Sequence, residues 1–278
     1  NLRLWDRAGG GVHVVRRAHE DRVLALAFTP DERRVVSASR DDTLGIWDAA
    51  SGERLARLVG HGARVLAVAV SPDGTTIASA SADGTARLWN AADGSPRTSL
   101  VGHRGEVVGV TFTPDGRSLV TAGSDGTVRL WGAVDGDPGG VLRPGAGAVR
   151  VVALSPDGSL LAAATEKGGF RVWHRSADRV FIDQAGEGRS ITAITFSPDG
   201  SRLVTGSQEG ALRLWDTSHA MELSVLVGHA APVNCLAFAP DGRSFVSAAD
   251  DGSVRVWGRT AAEIHAARLE GGATADEP

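Results

Sequence analysis

Tyrosine is absent from the 278 residues, cysteine and methionine occur once each, and aromatic residues make up only 5%. The single cysteine, Cys235, has no partner for an intrachain disulfide, a usage that fits a reducing compartment. It stands in an apolar run, residues 233–238, and is expected to be buried there. No apolar run approaches the roughly 20 residues needed to span a bilayer, and no charged-then-apolar leader opens the chain. Neither sign of charge dominates: 29 Lys and Arg against 33 Asp and Glu leave a net charge of −4, which makes no demand for a polyanionic partner. No GxxxxGK[ST] phosphate loop and no kinase motif set occurs either.

What the chain has in abundance is repetition. Its seven tryptophans are Trp5, Trp47, Trp89, Trp131, Trp173, Trp215 and Trp257, each 42 residues after the one before. The pairs Pro30-Asp31, Pro72-Asp73, Pro114-Asp115, Pro156-Asp157, Pro198-Asp199 and Pro240-Asp241 keep the same step, so more than one residue type fixes the register. The 36 glycines recur at set places in each unit, which marks turns and not a low-complexity tract. A period of about 40–45 residues closing on Trp-Asp is how propeller blades read in sequence.

Residues 60–90, GHGARVLAVAVSPDGTTIASASADGTARLWN, are the most complete copy. Residues 64–70 are apolar without clean alternation, as suits an inner strand a buried on both faces. Ser71-Pro72-Asp73-Gly74 supplies a preset φ and a left-handed glycine for a hairpin turn. Strand b follows over residues 76–81, Asp83-Gly84 turns again, and strand c covers residues 85–89. The more polar residues 98–101 read as an outer strand d facing water. Six complete units follow a half unit, in which residues 2–6 match strand c and residues 12–17 match strand d. The last strand d falls at residues 263–269. The chain thus divides into a partial blade (1–17), six blades in one propeller domain (18–270) and a flexible tail (271–278). Residue 1 is Asn and the only methionine is Met221, so the chain is expected to be the C-terminal part of a larger protein, the missing strands lying upstream.

Through Gly60-His61, Ser71-Pro72-Asp73-Gly74, Asp83-Gly84 and Arg87-Leu88-Trp89-Asn90, recurring together at one period over nearly the whole chain, the units resemble the WD-repeat β-propeller family, its bacterial members included. The resemblance implies an all-β propeller of four-stranded antiparallel blades, six complete and the c-d half of a seventh. It also implies a hydrogen-bonded chain inside each blade, from an Asp through His and Ser or Thr to the Trp indole. Four units carry every member, the hydroxyl 18, the aspartate 22 and the tryptophan 28 residues after the histidine: His19, Ser37, Asp41, Trp47; His61, Ser79, Asp83, Trp89; His103, Thr121, Asp125, Trp131; and His229, Ser247, Asp251, Trp257. The residue types suit that role, since an indole donor needs an acceptor and a hydroxyl can both accept and donate. The unit ending at Trp173 has Gly145, Ala163 and Lys167 at the polar positions. The next keeps Thr205 and Trp215 but has Glu187 and Glu209. These two blades are expected to be the least rigid.

The competing reading, a Ser-His-Asp hydrolase triad, would require four equivalent active sites around a ring with no distinct pocket. No His/Asp/Glu cluster breaks the period as a metal site should. The remaining histidines, His13, His174, His219 and His265, read as solvated surface. No catalytic residue, cofactor or metal is therefore expected. In the resembling family, partner contacts come from the start of strand a and from the residue before the turn aspartate. Carried over by position, three residues after the histidine stand Arg22, Arg64, Glu106, Ala148, Ser190 and Pro232. Five after it stand Leu24, Leu66, Val108, Arg150, Thr192 and Asn234. Before the turn aspartate stand Arg40, Ala82, Ser124, Glu166, Gln208 and Asp250. Arg22, Arg40 and Arg64 beside Leu24, Leu66 and Val108, with Glu106, Arg150 and Asn234, form the expected protein-binding face, suited to an acidic or amphipathic segment.

The function expected is that of a non-enzymatic scaffold in the cytoplasm, presenting this face to other proteins or to an upstream signalling domain of its own chain. The expected state is a monomer that self-associates through the open half blade, with no nucleic-acid or membrane partner. A propeller enzyme or cofactor-binding propeller is one alternative. A nucleic-acid-associated propeller is another, disfavoured by the acidic balance and by the lack of exposed, interleaved aromatics.

Overall fold

The computed structural model describes residues 2–5, 12–15, 18–175, 179–184, 190–258 and 267–268. Asp6, Arg16, Arg17, Glu187, His265, most of the last expected strand and the tail lie outside the described residues, as does the side chain of His13. Every regular element among the described residues is a β-strand. β1 (Leu2–Trp5) and β2 (Val12–Val15) form a hairpin. Six four-stranded antiparallel sheets follow in chain order. The first comprises β3 (Val23–Phe28), β4 (Arg34–Ser39), β5 (Thr43–Asp48) and β6 (Arg54–Val59). The second comprises β7 (Val65–Val70), β8 (Thr76–Ser81), β9 (Thr85–Asn90) and β10 (Pro96–Val101). The third is β11 (Val107–Phe112), β12 (Ser118–Gly123), β13 (Val128–Gly132) and β14 (Pro138–Leu142). The fourth is β15 (Val149–Leu154), β16 (Leu160–Thr165), β17 (Phe170–His174) and β18 (Arg179–Gln184). The fifth is β19 (Ile191–Phe196), β20 (Arg202–Ser207), β21 (Ala211–Asp216) and β22 (Met221–Val227). The sixth is β23 (Val233–Phe238), β24 (Ser244–Ala249), β25 (Val254–Gly258) and β26 (Ala267–Arg268).

Turn chemistry sets these boundaries. At the β7–β8 turn Gly74 takes φ 72° and its N–H bonds the Ser71 carbonyl at 2.8 Å. The Ser71 hydroxyl accepts the Thr76 N–H at 2.9 Å and donates to Asp73 at 2.5 Å, so the Ser-Pro-Asp-Gly sequence satisfies its own polar groups while reversing the chain. The outermost strands begin earlier than their polar character suggests. β10 starts at Pro96, and a bulge between Pro96 and Thr98 carries the extra residue in its pairing with β9.

The chain divides into two compact units, Asn1–Val152 with Ala163–Thr165, and Ala153–Ala162 with Glu166–Pro278. In the first unit the sheets stack face to face. Leu44, Ile46 and Leu58 of the first sheet share a buried cluster with Val65, Ile77 and Trp89 of the second. Leu88 and Leu100 share one with Leu119 and Trp131 of the third. Trp89 and Trp131 thus pack into the face of the preceding sheet. Burying an indole removes roughly 150–250 Å² from water, on the order of 4–6 kcal/mol at 25 cal/mol per Å². In the second unit Leu212 and Leu226 meet Phe245 and Trp257 in the same way.

Two inner strands depart from the expectation of burial on both faces. β3 alternates, leaving Leu24, Leu26 and Phe28 exposed at 41%, 50% and 57%. β23 leaves Asn234 and Cys235 exposed, which corrects the expectation that Cys235 is buried. An apolar run is buried only if a second layer covers it, and among the described residues nothing covers that side of either strand.

Candidate functional site

The repeated polar set closes into one continuous chain of hydrogen bonds. In the second repeat the Trp89 indole N–H donates to Ser79 Oγ at 2.8 Å, and Ser79 Oγ lies 2.7 Å from His61 Nε2. His61 Nδ1 lies 2.8 Å from Asp83. The carboxylate can only accept, so Nδ1 carries the imidazole proton and donates to Asp83, which leaves Nε2 of the neutral ring to accept the Ser79 hydroxyl hydrogen. The same geometry holds in three more repeats. His19 spans Ser37 at 2.7 Å and Asp41 at 3.0 Å, with Trp47 donating to Ser37 at 2.8 Å. His103 spans Thr121 at 2.8 Å and Asp125 at 3.1 Å, with Trp131 donating at 2.9 Å. His229 spans Ser247 at 2.7 Å and Asp251 at 3.0 Å, with Trp257 donating at 2.8 Å.

Electrostatics matches this assignment. Burial lowers the pKa of His19, His61 and His103, outweighing the pull of Asp41, Asp83 and Asp125, so these imidazoles are neutral. For the aspartates burial acts upward but loses. The Thr85 hydroxyl, the Gly62 N–H and His61 bring Asp83 to about 2, and equivalent donors bring Asp41 and Asp125 to about 2. Asp251 is lowered likewise, first by the Ser253 hydroxyl.

The connectivity is that of a Ser-His-Asp triad, and burial decides against that role. Ser37, Ser79, Thr121 and Ser247 are 0% exposed, and an indole N–H occupies a lone pair of each hydroxyl. No substrate carbonyl can reach such an oxygen. In the unit ending at Trp173 the network is absent as a set: Ala163 is fully buried, while Gly145 and Lys167 are exposed. The next unit keeps the bond from Trp215 to Thr205, at 3.2 Å. Among the described residues no group of three or more His, Cys, Asp and Glu could hold a metal ion.

The positions expected to bind partners fall at one end of each sheet. One backbone bond joins two of the three position sets in repeat after repeat. The Arg40 N–H bonds the Arg22 carbonyl at 2.8 Å, Ala82 that of Arg64 at 3.0 Å, and Ser124 that of Glu106 at 2.8 Å. In the second unit Gln208 bonds Ser190 and Asp250 bonds Pro232. Arg22, Arg40, Arg64, Arg150 and Asn234 are exposed, Leu24 is 41% exposed, and Leu66, Glu106 and Val108 are half-buried. The arginines are less free than a purely basic cluster would be. Arg64 Nη2 contacts Glu106 at 2.7 Å, and Arg40 Nε lies 3.7 Å from Asp21. The Arg64–Glu106 pair joins equivalent positions of successive repeats, so opposite charges one period apart were its signal in the sequence. Asn234 donates to Asp250 within its own repeat.

The profile of the family described as "WD domain, G-beta repeat" matches residues 12–48, 52–90, 94–132, 136–174, 181–216 and 221–258. A search of curated proteins finds no match. The six matched segments cover most of the chain and close on the tryptophans that anchor its sheets, and the chain belongs to the WD40 repeat family.

Proposed function

We propose that this chain is a non-enzymatic interaction module of the cytoplasm that binds protein partners, or a neighbouring domain of its own chain, through the sheet ends bearing Arg22, Arg40, Arg64 and Glu106. The observation that carries this reading is the backbone bond between two variable positions that recurs in five repeats. It holds side chains of differing chemistry side by side, Arg22, Arg40 and Arg64 exposed and Glu106 half-buried, on a frame whose buried network four repeats share. A rigid frame with variable tips is how binding loops are presented. In the first unit the tips mix guanidinium and carboxylate groups beside Leu24 and Leu66, so a partner with both charges and an apolar anchor fits better than a uniformly acidic one.

The β1–β2 hairpin belongs to the same reading, as strands c and d of a further repeat. Leu2 shares a buried cluster with Val35 and Trp47, as Leu44 does with Ile77 and Trp89 one period later. The double substitution Arg22→Glu with Arg64→Glu is expected to remove the partners that the wild-type chain retains, as identified by mass spectrometry, without changing the melt. Retention of the same partners by the double variant would refute the assignment of this face.

A further inference from the structure

The first repeat departs from the others at one column of the sequence, and the departure opens a recess. The residue two before the tryptophan is Arg87, Arg129, Arg171, Arg213 or Arg255 in five repeats, and Gly45 in the first. In three of the five the guanidinium lies over the glycine that precedes the histidine. A Cβ on Gly60, Gly102 or Gly228 would come within 2.9, 2.8 or 2.9 Å of Nη1 of Arg87, Arg129 or Arg255. The matching residue of the first repeat is Ala18, whose methyl group is compatible with a neighbour that lacks the arginine.

In the fourth and fifth repeats the same arginine meets a carboxylate from the outermost strand. Arg171 holds Asp183 through Nε and Nη2 at 2.8 and 2.9 Å, and Arg213 holds Glu222 at 2.7 Å. The positions that supply those carboxylates are, in the first repeat, Arg57 and Arg54. A bulge lets both act together: Ile46 pairs with Ala56 but Trp47 pairs with Arg54, so Leu55 is the extra residue. Arg54 and Arg57 therefore share the sheet face of Trp47 and Gly45, although they are three apart in sequence.

A cavity of about 370 Å³ lies there, lined by both arginines, Gly45, His19, Glu20 and Asp41. The Arg54 guanidinium sits 5.9 Å from the Trp47 ring centroid and has no hydrogen-bond acceptor among the described residues. Among the described residues Arg57 has only Glu20, at 3.8 Å, whose side chain is 82% exposed. Asp41 is already engaged by His19, the Thr43 hydroxyl and the Glu20 N–H. Two guanidinium groups thus face a recess at the place where other repeats pair a guanidinium with a carboxylate.

We propose that this recess is a binding site for a carboxylate-bearing ligand, whose carboxylate lies between Arg54 and Arg57 while Glu20 competes for Arg57. Planar guanidinium forks suit a carboxylate, and the cavity leaves room for the group that carries it. The ligand is either a free dicarboxylic acid or an Asp or Glu side chain of a peptide. The site does not depend on the protein-binding face proposed above.

The test is an NMR titration of the ¹⁵N-labelled chain with glutarate, with the neutral isostere glutaramide, and with the capped peptide Gly-Glu-Glu-Gly. Carboxylate probes should shift amides within residues 43–57, and glutaramide should not. Saturation by glutarate assigns the site to a free acid. A response to the peptide alone assigns it to an acidic segment. Arg54→Gln or Arg57→Gln, at exposed positions whose loss leaves the fold intact, should weaken binding at least tenfold. Glu20→Gln should tighten it about threefold. Gly45→Arg should abolish it, but a Cβ there would stand 2.7 Å from the Trp47 indole, so the arginine variants are the decisive ones. Silence of both carboxylate probes, or undiminished affinity in Arg54→Gln, would overturn the proposal.

Discussion

Replacing His61 with alanine tests whether the buried network stabilises the sheet or merely fills space. The His61 side chain is wholly buried and joins Ser79 to Asp83. Its loss leaves the Ser79 hydroxyl, itself 0% exposed, with no acceptor for its hydrogen. An orphaned buried group of this kind costs about 1–3 kcal/mol. Asp83 suffers less, because it keeps the Gly62 N–H and both the N–H and the hydroxyl of Thr85, and because its side chain is 14% exposed to water. The expected destabilisation is therefore about 1–3 kcal/mol, set mainly by Ser79. For a chain of this size each kcal/mol lowers the melting midpoint by about 2–4 °C. Circular dichroism melts give the total, and hydrogen exchange over residues 60–90 shows whether the loss is local. The sharper reading comes from a double-mutant cycle with Ser79→Ala. That change alone orphans both the Trp89 N–H and His61 Nε2, whereas the pair together orphans only Trp89, so the double variant should lose about 1–2 kcal/mol less than the sum of the singles. An unchanged melt for His61→Ala, or strict additivity, would refute the network as a cooperative unit.

Acid should weaken the fold in two stages. His19, His61 and His103 have folded pKa values below 6.5, so the unfolded chain binds more protons as pH falls through 6.5, and stability declines from there. Asp41, Asp83 and Asp125 are lowered from 3.8 to about 2, so their contribution is present above 3.8 and is lost between 3.8 and 2. Melting midpoints flat above pH 7 and falling in those two windows are expected; a midpoint unchanged between pH 7 and 5 would contradict the histidine assignment. Glu32 takes φ 59° where the later repeats have Gly74, Gly116, Gly158, Gly200 and Gly242, so Glu32→Gly should stabilise by about 0.5–1 kcal/mol in chemical denaturation. Amides of residues 149–174 and 191–216, whose repeats lack the full network, should exchange faster than those of residues 65–90. Native Cys235 should react with a thiol reagent without denaturant, and protection would contradict its exposure.

The network was legible because a hydrogen-bonded chain demands particular residue types at fixed offsets, and the offsets of 18 and 22 residues reappear as contacts between His61 and Ser79 and between His61 and Asp83. The hairpins were legible for a similar reason, since Pro72 and Gly74 have few other uses in that order. Cys235 was not, because its own strand pattern says apolar while its exposure depends on a layer elsewhere. The ends of the outer strands were also hidden. Pro96 argues against a strand until the bulge beside it removes the demand for regular pairing. The recess at Gly45 had a sequence signal, a column of arginines broken once, but its meaning needed the bulge at Leu55 that brings Arg54 and Arg57 to one face.

The first repeat shows how such a frame can carry different chemistry without losing its fold. It has Ala18, Glu32, Asp42 and Gly45 where the second repeat has Gly60, Gly74, Gly84 and Arg87, yet its His19, Ser37, Asp41 and Trp47 make the same bonds as their counterparts. The buried set and the exposed set are held by separate interactions. The network runs between strands through fully buried hydroxyls, while Arg54 and Arg57 hang from an outer strand whose one fully buried residue is Leu58. Changing the outer charges therefore leaves the network's partners in place, and changing the network leaves the outer charges without a frame. The asymmetry predicts opposite outcomes for two substitutions in one repeat. Arg54→Gln should change what the repeat binds and leave the melt alone, whereas Ser37→Ala should lower the melt by several degrees by stranding the Trp47 N–H and His19 together. If Arg54→Gln proved as destabilising as Ser37→Ala, binding and stability would not be separable in this repeat, and the division between frame and surface would fail where the two lie closest.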